Sequence, residues 1–255
     1  MLRLTAVQAA TKTGAIAGAL LLLGCGQGAG GSGAPGGSEG ATMVDCGGSV
    51  YDADALADAP PASSLAEGPA GAVDDLGDPA FDPTLDWYVV HQDDDRADLV
   101  RELEEPVDNG GGDIRTHESR RLQRITGASN VPDGTWMLAS AGPCAQRVVG
   151  GDGLGAADVT LARTPAPETS TLDLLVRERA CASGKDADGR AVVDLEETAE
   201  QVRLRVGVRP LRGGQDCQGN PATPLTVELA EPLGDREVVD SSVVPARPVT
   251  VAAPD

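Results

Sequence analysis

The feature that most constrains the fold of this chain is a hydrophobic period of two. Val202, Leu204, Val206 and Val208 alternate with Arg203, Arg205 and Gly207. Successive side chains of an extended backbone point to opposite faces, so this segment reads as a strand with one apolar and one polar face. Leu225, Val227 and Leu229 repeat the pattern against Thr226, Glu228 and Ala230, and Leu172, Leu174 and Val176 begin a third strand. Leu85–Val90 reads as another. Asp133-Gly134 and Asp188-Gly189 read as tight turns into Thr135–Ala139 and Ala191–Leu195. Residues 95–105 fit either a helix capped by Asp95 and stopped at Pro106, or a strand. The strand is preferred, because Asp93–Asp95 then turns the chain after Val90. Ile114–Ile125 stays open between helix and strand.

The first 25 residues bear on the compartment. Arg3 and Lys12 precede a ten-residue apolar run, GAIAGALLLL at 14–23, which is too short for the roughly 20 residues of a membrane-spanning helix. It has the length and flanks of a secretory h-region. Leu22-Leu23-Gly24-Cys25 resembles the bacterial lipobox. That resemblance implies a diacylglyceryl group on the Cys25 thiol and removal of residues 1–24 as a signal peptide. Two acyl chains satisfy the need of stable anchoring for more than one. Cleavage leaves 231 of the 255 residues and moves the formal net charge from −20 to −22, since Arg3 and Lys12 go with the signal. The implied location is the outer face of the cytoplasmic membrane. A polyanionic body is repelled by anionic lipid, so it should stand off on its tether. The same charge argues against nucleic-acid binding, which needs a basic surface.

Residues 25–44 follow as the lipidated Cys and a Gly/Ser-rich flexible tether. The Pro-bearing break RTPAPETS at 163–170 then divides a first β-rich module (45–162) from a second (171–246), with 247–255 as a frayed tail. Residues 56–72, rich in Ala and Pro, read as irregular. The expected class is mainly β: two small antiparallel β-rich modules, with little helix outside the signal peptide. With Cys25 lipidated, Cys46, Cys144, Cys181 and Cys217 remain, and an even remainder in an exported chain reads as two disulfides. Of three connectivities, Cys46–Cys144 and Cys181–Cys217 keep each bridge inside one module. Modules with only five aromatic residues between them have little else to bury.

Several stretches carry a wider resemblance: RERACASGK at 177–185, VRLRVGVRP at 202–210, DCQGNPATPLTVEL at 216–229, EPLGDREVVD at 231–240 and, upstream, DGTWMLASAGPC at 133–144. They resemble a module of exported lipoproteins from high-GC Gram-positive bacteria. The resemblance implies an anchored, mostly β protein and carries no activity or catalytic residue with it.

Other motifs have plainer explanations. Gly36-Gly37-Ser38-Glu39-Gly40 matches a nucleophile elbow but lies in the tether, without the required strand and helix. Gly151–Ala156 matches a dinucleotide loop, yet strand-like residues and prolines follow where a helix is needed. Asp186, Asp188 and Gly189 imitate a calcium loop whose first and twelfth positions, Gly184 and Leu195, lack ligands. Asp93–Asp95 and Asp108–Asp113 are acidic loops that read as solvated turns, with weak Ca²⁺ binding as the alternative. His91 and His117 have neither zinc spacing nor an evident acid or nucleophile partner. Trp87 and Trp136 read as core residues. No metal, cofactor or catalytic residue is expected.

Arginine outnumbers lysine 18 to two. Arg203 and Arg205 share the polar face of one strand, and Arg177 and Arg179 share a face of another. Were these strands neighbours, the four guanidiniums would crowd one sheet face and could bind carboxylate or phosphate. The competing expectation is cross-strand pairing with Glu178, Asp194, Glu196 and Glu200. The function expected is a non-catalytic binding or structural role at the cell envelope, with an envelope polymer or protein as partner. An envelope hydrolase and an anion or Ca²⁺ binding module are the alternatives.

Overall fold

Strands β1 (Met43–Cys46) and β2 (Ser49–Asp52) open the folded part as an antiparallel hairpin. The computed structural model describes residues 42–75, 86–128, 130–150 and 153–253. Two single-turn helices (Asp54–Asp58 and Ala62–Ser64) and α1 (Glu67–Asp75) follow, so part of the stretch expected as irregular is helical. Next come β3 (Tyr88–Gln92), β4 (Arg96–Asp108), β5 (Ile114–Arg124) and β6 (Trp136–Cys144), an antiparallel sheet in that order. Both ambiguous segments are therefore strands. The turn before β4 closes as the preferred reading requires: the Asp93 carboxylate accepts from the backbone N–H groups of Asp95 and Arg96 at 2.9 and 2.7 Å.

The chain continues through β7 (Gln146–Val148), β8 (Gly155–Leu161), β9 (Thr171–Glu178), β10 (Ala191–Glu197), β11 (Gln201–Val208) and β12 (Thr223–Glu228). It ends with β13 (Glu237–Asp240), β14 (Val243–Val244) and β15 (Arg247–Pro248). A second sheet has the order β14-β7-β1-β2. A third runs β12-β9-β8-β11-β13-β15, in which β8 and β13 share one edge of β11, at opposite ends, and β10 pairs along the other. Its pairings are antiparallel except β11 with β13. The alternating residues supply its core: Leu172, Leu174 and Val176 of β9 pack with Val202, Leu204, Val206 and Val208 of β11 and with Val159 and Leu161 of β8. Each such side chain contributes about 1.5–3 kcal/mol when fully buried. A second cluster gathers Trp87, Val89, Ala97, Leu99 and Leu122, and a third gathers Val44, Tyr51 and Val100 around Cys46 and Cys144.

The class is mainly β, with two β-rich halves and both expected disulfides. Cys46–Cys144 and Cys181–Cys217 are bonded, across Cα separations of 5.3 and 4.5 Å. The boundaries move. Residues 163–170 are not a linker between modules but the loop of the β8–β9 hairpin, in which Leu161 pairs with Leu174. Pro165 and Pro167 suit a loop there because proline cannot extend a ladder. β8 thus belongs to the second half, and β14 returns to pair with β7 of the first. The tether ends earlier than residue 44, since Met43 and Val44 lie in β1 and Val44 is fully buried. The tail is docked rather than frayed: β15 pairs with β13, Val249 is buried, and Val251 bridges to Leu161. The Asp188-Gly189 turn leads into β10 but does not join paired strands, because β9 is occupied by β8 and β12. Cys25, the signal peptide and the Gly36–Gly40 motif lie outside the described residues.

Candidate functional site

The polar face of β11 and its neighbour β10 form the floor of a groove. Register sets Val192 opposite Gly207, Asp194 opposite Arg205 and Glu196 opposite Arg203. The alternate residues of both strands go to the core, so these pairs face outward. The sheet containing β1, β7 and β14 supplies the facing wall. Two clefts of about 470 and 550 Å³ result, and Val148, Val149, Asp194 and Arg205 line both. Val50 and Val149 are 45 % exposed beside the first cleft, an apolar wall open to solvent.

The two charged pairs on the floor behave differently. Arg203 Nε lies 3.3 Å from Glu196 Oε2, an ion pair across the ladder. Asp194 and Arg205, directly opposite and both exposed, make no such pair. Among the described residues neither side chain has an ion-pair or hydrogen-bond partner.

The expected cluster of four arginines does not form. β8 lies between β9 and β11, so Arg177 and Arg179 are separated by a strand from Arg203 and Arg205. β9 already has β8 on one edge and β12 on the other, which leaves β11 no place beside it. Arg179 is drawn instead into an ion-pair network, 2.7 Å from Asp113 and 2.9 Å from Asp158. Arg147 also pairs with Asp158, and Arg115 with Asp113 at 2.7 Å. Burial raises the Asp113 carboxyl, and Arg115 and Arg179 more than reverse it, holding it down to about 2. Arg247 completes the junction by donating to the carbonyls of Ile114 and Gly112 at 2.7 and 2.8 Å. Arg177 lines a smaller cleft of about 250 Å³ beside the second disulfide.

Arginine serves the same purpose elsewhere. The Asp98 side chain, 1 % exposed, is held by Arg96 and Arg121. Buried Glu178 pairs with Arg190 at 2.6 Å, and Glu118 with Arg101 and Arg120 at 2.7 and 2.9 Å. Arg101 and Arg120 also stack on Trp87, 5.4 and 5.2 Å from its centroid. A planar fork matches a carboxylate as a lysine ammonium does not, so the 18-to-two bias has a structural use. That bias was the available sign of these buried pairs, which the sequence reading missed at Asp98 and Asp158.

The histidines are placed apart from the groove. His91 lies 3.0 Å from Asp93 at the surface. His117 is buried in β5, with its nitrogens 2.9 Å from the Thr116 hydroxyl and 3.0 Å from the Gln146 amide, and burial holds its pKa down. Among the described residues no three His, Cys, Asp or Glu side chains are grouped to hold a metal ion. Gly155–Leu161 is a strand, where a dinucleotide loop would need a helix. The chain matches no protein-family model, no curated protein and no solved structure.

Proposed function

We propose that this chain is an exported lipoprotein, anchored through Cys25, with a non-catalytic binding role at the cell envelope, and that the groove over Asp194 and Arg205 is its binding site. The observation that carries the reading is the open Asp194/Arg205 pair. An exposed guanidinium left free of carboxylate and set beside an apolar wall is able to take a planar anionic group of a ligand bidentately. Two disulfides support the compartment, because such bonds persist where thiols are not kept reduced. The test is binding of labelled native envelope fragments to the full-length lipidated protein. Arg205→Gln should reduce binding at least tenfold with an unchanged thermal midpoint. Equal binding by wild type and variant removes the groove as the site.

A further inference from the structure

We infer that the groove holds a short apolar peptide, two residues long, with its α-ammonium on Asp194 and its α-carboxylate on Arg205. This rests on the reading of the groove as the binding site and names the chemistry of its occupant.

Charge complementarity selects the class. Asp194 and Arg205 are opposite members of one ladder, so their Cβ atoms stand about 4.5–5.5 Å apart. The neighbouring Glu196–Arg203 pair closes at 3.3 Å, and this one stays open. An open acid and guanidinium side by side fit a ligand that brings one charge of each sign. A polyanion would meet Asp194, Glu196 and a mature body of net charge −22. A purely cationic ligand would be drawn by the net charge of the body but would leave the Arg205 guanidinium in the groove without a counter-charge. A second copy of the mature chain would set −22 against −22. A zwitterion escapes all three penalties.

Length and polarity narrow it further. An extended residue spans at most roughly 3.6 Å, so a dipeptide separates its terminal charges by about 7 Å. Asp194 and Arg205 are opposite in register yet make no ion pair, so their charged groups stand more than 4.0 Å apart and leave a gap for a ligand to bridge. A single amino acid carries both charges within half the distance. The cleft of about 470 Å³ falls in the range of small-ligand sites, and its walls at Val50, Val148 and Val149 suit apolar side chains.

Calorimetric titration of the detergent-solubilised, full-length lipidated protein tests this with four probes: Leu-Leu, N-acetyl-Leu-Leu, Leu-Leu-amide and leucine. Leu-Leu should bind, and each of the other three should bind at least tenfold more weakly. In Arg205→Gln the amide and the free acid should become equivalent. In Asp194→Asn, acetylation should no longer matter. Arg205→Lys, which keeps the charge but not the fork, should retain part of the affinity and guards against a variant that fails to fold. Absence of Leu-Leu binding overturns the inference, as does equal affinity for the acetylated peptide or for leucine. Should envelope binding remain Arg205-dependent while Leu-Leu is ignored, the peptide assignment falls and the binding site stands. Should envelope binding be indifferent to Arg205, the site itself falls.

Discussion

Gly112 shows how narrowly the junction between the halves is fitted. It lies in the β4–β5 turn with φ +85°, a region that costs residues with a Cβ about 1–2 kcal/mol. A Cβ there would sit 2.5 Å from the Val159 carbonyl oxygen, which is backbone of a central strand and has nowhere to retreat. Gly112→Ala should therefore lower stability by about 2–4 kcal/mol, combining backbone strain with overpacking. Urea unfolding reads this directly, and a loss below about 0.5 kcal/mol would mean the two halves are not tightly seated. Asp113, next in sequence, gives the junction a pH dependence. Its pKa is depressed from an ordinary 3.8 to about 2 by Arg115 and Arg179. The folded state thus binds its proton more weakly than the unfolded state. The stabilisation is present above roughly pH 4 and is lost as the pH falls from 4 towards 2, amounting to about 1–2 kcal/mol. In Asp113→Asn this part of the acid dependence should vanish. An unchanged slope between pH 4 and 2 would count against the ion-pair assignment.

At the scale of elements, the disulfides and the strand order carry different kinds of information. Cys46–Cys144 closes a loop of 98 residues and Cys181–Cys217 one of 36. On the chain-entropy model these contribute about 4–5 and 3–4 kcal/mol, chiefly by restricting the unfolded chain. Replacing Cys46 and Cys144 together by Ala should then destabilise more than replacing Cys181 and Cys217. Paired thermal melts decide the order, and the reverse ranking would show that local packing outweighs loop length. The bridges were legible because cysteine pairing depends on count and compartment. So were β9, β11 and β12, because one face of each meets the core and the other meets water.

β8 was not recognised as part of the second half, for a physical reason. Ala157, Val159 and Leu161 alternate with Asp158 and Thr160, so the strand itself shows in the sequence. Its partner does not, because the Pro-bearing 163–170 reads equally as a linker between modules and as the loop of a hairpin, and only the pairing with β9 decides between them. Strands of two or three residues, such as β7, β14 and β15, are too short for any period to show. The groove was half legible: Arg203 and Arg205 were placed on one polar strand face, and Asp194 and Glu196 stood among the four acids expected as cross-strand partners. Their separation from Arg177 and Arg179 depends on which strand lies between them, and strand order is a non-local property that alternation cannot express.

At the scale of the whole molecule, the anchor and the charge have to be considered together. The described residues contain no helix long and apolar enough to cross a membrane. A chain of net charge −20, or −22 if residues 1–24 are removed, gains nothing from anionic lipid, so electrostatics cannot hold it at the surface. If Cys25 carries a diacylglyceryl group, two acyl chains must supply the whole attachment, at about 0.8 kcal/mol per buried CH₂. Membrane association should then be indifferent to salt. Washing with about 1 M salt, where charges are screened within roughly 3 Å, should leave the protein bound, while detergent should release it. Intact mass of the released material should fit a chain beginning at Cys25 with the lipid on its sulfur. Release by salt alone, a free Cys25 thiol, or retention of residues 1–24 would each contradict lipid anchoring, and the Cys25→Ser variant should fail to enter the detergent phase as a mature chain.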